Sequence, residues 1–130
     1  MIKNVTPVFV GGALGAMLRE LFMLIVPVGP RGFPYDILAA NLLAALLLGL
    51  VAALYGRKLV SDWAYKLVGV GVTGGLSTFS SFAYATAVLA SGSTTSTLVA
   101  LAYVATSLAL GYIAVVLGLR LGGQQEASAQ

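Results

Sequence analysis

Nine residues, Gly74–Phe82 (GGLSTFSSF), bring together two adjacent glycines, four hydroxyls and two phenylalanines, and no charged residue occurs from Leu67 to Leu119. Gly and Ser both weaken helical backbone, so this stretch makes a poor continuous helix. At membrane depth a broken segment is tolerated only where protein or water covers it. The pattern predicts a helix that stops near Gly74 and resumes near Ser80, and a site there for an ion or small solute. Carbonyls freed at such a break can hold a cation, whereas the N–H groups opening the second half favour an anion. Thr78, Ser80 and Ser81 add hydroxyl donors. Phe79 and Phe82, three apart, share a face, and a ring edge weakly attracts an in-plane anion. The competing structural role is plain: hydroxyls bonded back to the preceding turn, phenyl rings filling helix contacts. The density of the cluster argues against it.

Other polar residues fall inside apolar runs. Asn41 lies one turn into its segment, and a buried amide is costly unless satisfied, so it marks a pathway or an interhelical bond. Tyr103, Thr106 and Ser107 form a polar patch that, alone, would be read as packing. Arg19 must find Glu20, backbone carbonyls, an anion or the interface. Adjacent helical residues do not face each other, so Glu20 is not expected to neutralise it simply. Anchoring a broken loop is a more economical role for Arg19 than ion recruitment.

The elements that must position these groups are membrane spans. Of 130 residues, 59% are hydrophobic and 8% charged, and the mean hydropathy is +0.99. Soluble domains carry roughly 25% charged residues. A span needs about 20 apolar residues. Four segments qualify: Val5 to Val26, Ile37 to Tyr55, Trp63 to Ala90 and Thr97 to Leu119. The third is longer than a crossing requires, and a break in its middle would absorb the excess. Pro27, Gly29, Pro30 and Pro34 separate the first two, and Gly56-Arg57-Lys58 closes the second. Residues 1–121 read as one four-helix domain and 122–130 as a disordered polar tail. Lys3 followed by an apolar run also fits the start of a signal peptide, but Arg19-Glu20 stands where a small-residue cleavage site would be, so a retained helix is expected. Glycine and small-residue pairs four apart (Gly11 and Gly15, Gly71 and Gly75, Ala45 and Gly49, Ser107 and Gly111) predict close helix packing.

With no Cys and no His, disulfides, thiol catalysis and a His relay are excluded. The acidic residues Glu20, Asp36, Asp62 and Glu126 are scattered, so an enzyme is not expected. The net charge of +3 reads as topology signals rather than affinity for nucleic acid. Leaving Arg19 aside, Lys3, Arg57, Lys58, Lys66 and Arg120 fall on the side of the N-terminus and Arg31 on the other. This bias predicts both termini in the cytoplasm, in the cell membrane.

With GGLSTFSSF on a third span, Asn41 early in a second and Leu18-Arg19-Glu20 late in a first, the chain resembles the Fluc/CrcB family of fluoride channels. The resemblance covers the whole four-span region, and the motif is specific. It implies an all-α integral membrane fold: four transmembrane helices, the third broken, in an antiparallel dual-topology dimer. Two narrow pores along the dimer interface would export cytoplasmic fluoride passively. On this chain it implies that Phe79 and Phe82 line the pores through their ring edges and that Asn41 donates to the ion. Ser80 and Ser81, with Tyr103 and Ser107 opposite, would extend the polar track. The carbonyls of Gly74 and Ser77, with their partner's, would hold a central structural sodium ion (Na+), and Arg19 corresponds to the family's first-helix arginine. The chain departs from the pattern at Ala85, where many members have Glu, at Gly111, where some have Ser, and at Glu20, where an aromatic is common.

Stripping fluoride of water without compensation would cost tens of kcal/mol. Neutral donors and ring edges can compensate without the deep well a buried lysine would create. Antiparallel homodimers need balanced topology signals, and five basic residues against one do not balance. The bias points to a chain that inserts mainly one way and pairs with an oppositely biased sister, with a homodimer as the alternative. The rival reading is a small multidrug-resistance-type proton-coupled exporter, which needs an embedded carboxylate. Glu20 is the candidate the sequence offers, its neighbour Arg19 would repel a cationic drug, and the motif would go unexplained. A non-transporting assembly subunit is a third class, marked by the absence of ion flux with any partner.

Overall fold

A computed structural model describes residues 2–29, 32–91 and 93–123. Pro30 and Arg31, named above, lie outside the described residues, as do Gly92 and the tail from Gln124. Every regular element among those described is helical. In chain order they are α1 (Ile2–Ile25), α2 (Tyr35–Gly56), α3 (Asp62–Ala64), a π-helical segment (Tyr65–Val72), α4 (Thr73–Leu76), α5 (Phe79–Ala90) and α6 (Thr94–Gly123). Three of them (α1 over Val5–Ile25, α2, and α6 over Thr95–Gly123) are long and apolar enough to cross a membrane.

Each boundary has a local cause. Pro34 precedes α2 and cannot extend it backwards with an N–H of its own. At its other end the chain turns through Lys58 at φ 59°, with Lys58 N–H bonding Tyr55 O and Leu59 N–H bonding Leu54 O. That is a Schellman closure, a left-handed position usually given to Gly. Ser61 caps α3, its hydroxyl accepting from Ala64 N–H at 3.2 Å. Lys66 bonds Asp62 one turn back, and its ammonium holds the Asp62 carboxyl below the usual range. Tyr65 opens the π-helical segment and stacks on Tyr55 at 4.3 Å between ring centroids. The wider turns were not legible as a helix-period pattern. They set Gly69 and Gly71 into buried positions.

Packing follows two glycine seams. α1 lies along the π-helical segment and α4, and α2 lies along α6. A Cβ on Gly15 would meet Leu76 N at 2.8 Å and the Val72 carbonyl, and one on Gly49 would run into the Val115 carbonyl. Three of the four predicted small-residue pairs therefore contribute a residue to these seams. Gly111 does not: a Cβ there meets nothing within 4 Å. Two small cores complete the packing. One joins Ile37, Leu38, Ala85, Leu89, Ala100 and Tyr103, the other Ala40, Ala44 and Leu76. Many large apolar side chains face outward, Phe9, Leu24 and Tyr112 among them, as suits surfaces solvated by lipid or covered by a second subunit.

Candidate functional site

The helical run from Asp62 ends at Leu76, and Ser77 (ψ 147°) and Thr78 (φ −144°, ψ 114°) are extended before α5 begins at Phe79. In an unbroken helix Thr78 N–H would bond Gly74 O, and Phe79 N–H would bond Gly75 O. Side chains from other helices stand in for those bonds. Asn41 Oδ1 accepts from Thr78 N–H at 2.7 Å, and Asn41 Nδ2 donates to Thr78 O at 3.3 Å. The N–H of Thr78 requires an acceptor, which fixes the orientation of the amide. Arg19 Nη1 donates to Gly75 O at 3.3 Å.

Thr78 also caps α5. Its hydroxyl accepts from Ser81 N–H at 3.2 Å, donates to Ser81 Oγ at 3.0 Å and lies 3.3 Å from Ser80 Oγ. That use of Ser81 N–H relieves Ser77 O of its own helical donor, as Asn41 relieves Gly74 O. Both carbonyls belong to residues lining one cleft of about 290 Å³ with Asn41, Ala44 and Thr73. Uncharged carbonyl oxygens of this kind suit a hard cation such as sodium.

A second cleft, about 210 Å³, collects Asn41, Ser77, Thr78, Phe79, Phe82 and Ser107. Phe79 is 79% exposed, and its ring sits 6.1 Å from that of Phe82. Phe82 in turn packs on Tyr103 at 5.3 Å, which meets Phe33 edge-on at 5.4 Å. The hydroxyls of Tyr103 and Ser107, one turn apart on α6, are buried without a hydrogen-bond partner among the described residues. Asn41, Phe79, Phe82 and Ser107 thus share one cleft, and Tyr103 backs it. Ser80 and Ser81 line a third cleft instead, about 480 Å³, with Asp36, Tyr84 and Ala85. Thr78 Oγ1, in contact with both serines, bridges the second and third.

Two sequence expectations change in detail. Arg19 Nη2 does reach Glu20 Oε1, at 3.5 Å, because a long guanidinium stem can curl around the helix where Cβ positions alone cannot meet. The carboxylate withdrawn from solvent is Asp36, 7% exposed and with Oδ1 unpartnered among the described residues, whereas Glu20 is exposed. Asp36 was missed because a carboxylate two residues after Pro34 reads as interfacial, and only the packing of α5 and α6 encloses it. Ala85 is buried in the apolar core beside the same cleft.

Comparison with known proteins shows the family. Residues 6–119 match a family described as CrcB-like protein, Camphor Resistance (CrcB). The chain is 47% identical over 119 residues to a Yersinia pseudotuberculosis protein named fluoride-specific ion channel FluC 3, covering 92% of this chain and 88% of that one. It is 51% identical over 122 residues to fluoride-specific ion channel FluC 2 of Brucella melitensis and to FluC 1 of Brucella abortus, covering 94% of this chain. It spans only 45% of the length of those Brucella relatives.

Proposed function

The chain belongs to the CrcB-like family, and from that premise we propose that it is a subunit of a fluoride-selective channel, not an enzyme, exporting cytoplasmic fluoride by passive electrodiffusion. The observation that carries the reading is the cleft beside the helix interruption. There Asn41, Ser107, Phe79 and Phe82 line one cleft, and no cationic side chain among the described residues lines it to trap an anion. Asn41 spends its oxygen and one N–H on Thr78, which leaves its second N–H for an ion. Ser80, Ser81, Tyr103 and Ser107 extend the track of neutral donors. Replacing water with several such donors lets a small anion pass without being held.

In this reading the rod from Asp62 and α5 together form a fourth, broken span, with α1, α2 and α6 as the other three. Two subunits assemble antiparallel, with a pore on each side of the interface. The exposed faces of Phe79 and Ser77 are consistent with cover from a second subunit. The carbonyls of Gly74 and Ser77, paired with those of the partner, would hold a central sodium ion, which would supply fixed positive charge at the interface. Arg19 positions the break through Gly75 O. The basic residues place both termini in the cytoplasm of the cell membrane, and the bias favours pairing with an oppositely oriented sister subunit over a homodimer.

Fluoride efflux from liposomes, read with an electrode, tests both levels. Co-expression with an oppositely biased sister is expected to give efflux that Phe79→Ile and Asn41→Asp abolish without loss of assembly. Unchanged flux in both variants would remove those residues from the path. Strong flux from this chain alone would sink the pairing.

A further inference from the structure

We propose that Asp36 sets the rate at which fluoride passes one mouth of the pathway, its unpaired carboxylate depleting anions from the cleft it shares with Ser80 and Ser81. The inference rests on the fluoride-channel reading and assigns a role to a residue outside the motif. Asp36 is buried in the first turn of α2, and its Oδ1 has no hydrogen-bond partner among the described residues. Buried carboxylates are ordinarily paired or hydrogen-bonded. Ser80 and Ser81, which line the same cleft, hydrogen-bond Thr78, and neither is a partner of Asp36 Oδ1. What favours its charge is the N-terminus of its own helix, where free N–H groups and the dipole suit an anion and Pro34 offers no side-chain cap.

A charge without a counter-charge among the described residues, set in a low-dielectric wall, projects its field into the cavity in front of it. That cavity is the cleft of about 480 Å³, where Ser81 hydrogen-bonds Thr78, a residue lining the cleft that holds Asn41 and the phenyl rings. An anion crossing it meets that repulsion beside the neutral donors Ser80 and Ser81, which line the same cleft. On the proposed topology this mouth opens on the side opposite the termini. A fixed charge cannot change the direction of net flow, which the gradient sets, but it lowers the local fluoride concentration and hence conductance.

Single-channel recording at low and high ionic strength tests the idea on the assembled channel, with Asp36→Asn removing the charge at nearly constant shape and Asp36→Glu retaining it. At about 0.01 M salt, where screening is weak, Asp36→Asn is expected to conduct about tenfold better than the wild type. The gap should close at about 1 M salt, where the Debye length is about 3 Å. Asp36→Glu should follow the wild type at both. Equal conductance of wild type and Asp36→Asn at low salt would overturn the inference and leave the channel reading standing. So would a gap that salt does not close, since a packing change is not screened. No fluoride current from any of the three would overturn the channel reading itself, and the role of Asp36 with it.

Discussion

Along α1, Gly11 and Gly15 press against the backbone of the π-helical segment and α4, while a few residues beyond that seam Ser77 and Thr78 leave the helix altogether. Both regions face the same demand, that backbone polar groups withdrawn from water be bonded. The seam meets it internally. Its helices keep their own hydrogen bonds, and glycine lets them approach as closely as bare backbone allows. At the break the bonds come from elsewhere: Asn41 on α2, Arg19 on α1 and the hydroxyl of Thr78. The contrast shows why the polar residues of the three long helices are so few and so placed. Each of those two reaches a specific atom that the interruption released.

Substitutions that leave backbone groups orphaned break this contrast most sharply. Asn41→Leu leaves the buried Thr78 N–H unsatisfied, whereas Thr78 O, at the N-cap of α5, keeps the first bond of that helix, so the expected cost is about 1–3 kcal/mol. Thermal unfolding of the purified protein in detergent would read it, and an unchanged transition would mean that Thr78 finds other partners. The seam is tested next by a matched pair. Gly15→Val drives a side chain into the Val72 carbonyl and Leu76 N and should lower the yield of folded protein severalfold. Gly111→Ala, with open space around it, should leave the stability of the subunit within about 0.5 kcal/mol of wild type. Similar behaviour of the two would erase the distinction between packed and open glycines. The smallest effect lies at the end of α2. Lys58→Gly relieves a left-handed residue and should raise stability by about 1 kcal/mol, seen as a modest rise in melting temperature.

The positions of α1, α2 and α6 were legible because membrane spans are written in composition: uninterrupted apolar runs with charge or proline at their ends. The weak helix propensity of Gly74–Phe82 was legible too, since Gly and Ser weaken a helix wherever they cluster. What sequence could not supply was the identity of the replacement bonds. Asn41 and Thr78 stand 37 residues apart, and Arg19 and Gly75 stand 56 apart. No periodicity relates such pairs. The π-helical turns before the break were equally hidden, because apolar residues around a wide turn look like those around a narrow one. Asp36 was read only as one of four scattered acidic residues.

The sequence alone determined that this chain is helical, that it belongs in a bilayer and that its polar atoms gather at Gly74–Phe82, because apolar length and backbone propensity are properties of neighbours. Tertiary structure decided which orphaned carbonyl and N–H met which distant side chain, and which carboxylate was sealed from water. Those outcomes depend on how close two helices can come, and that closeness exists only once the chain has packed.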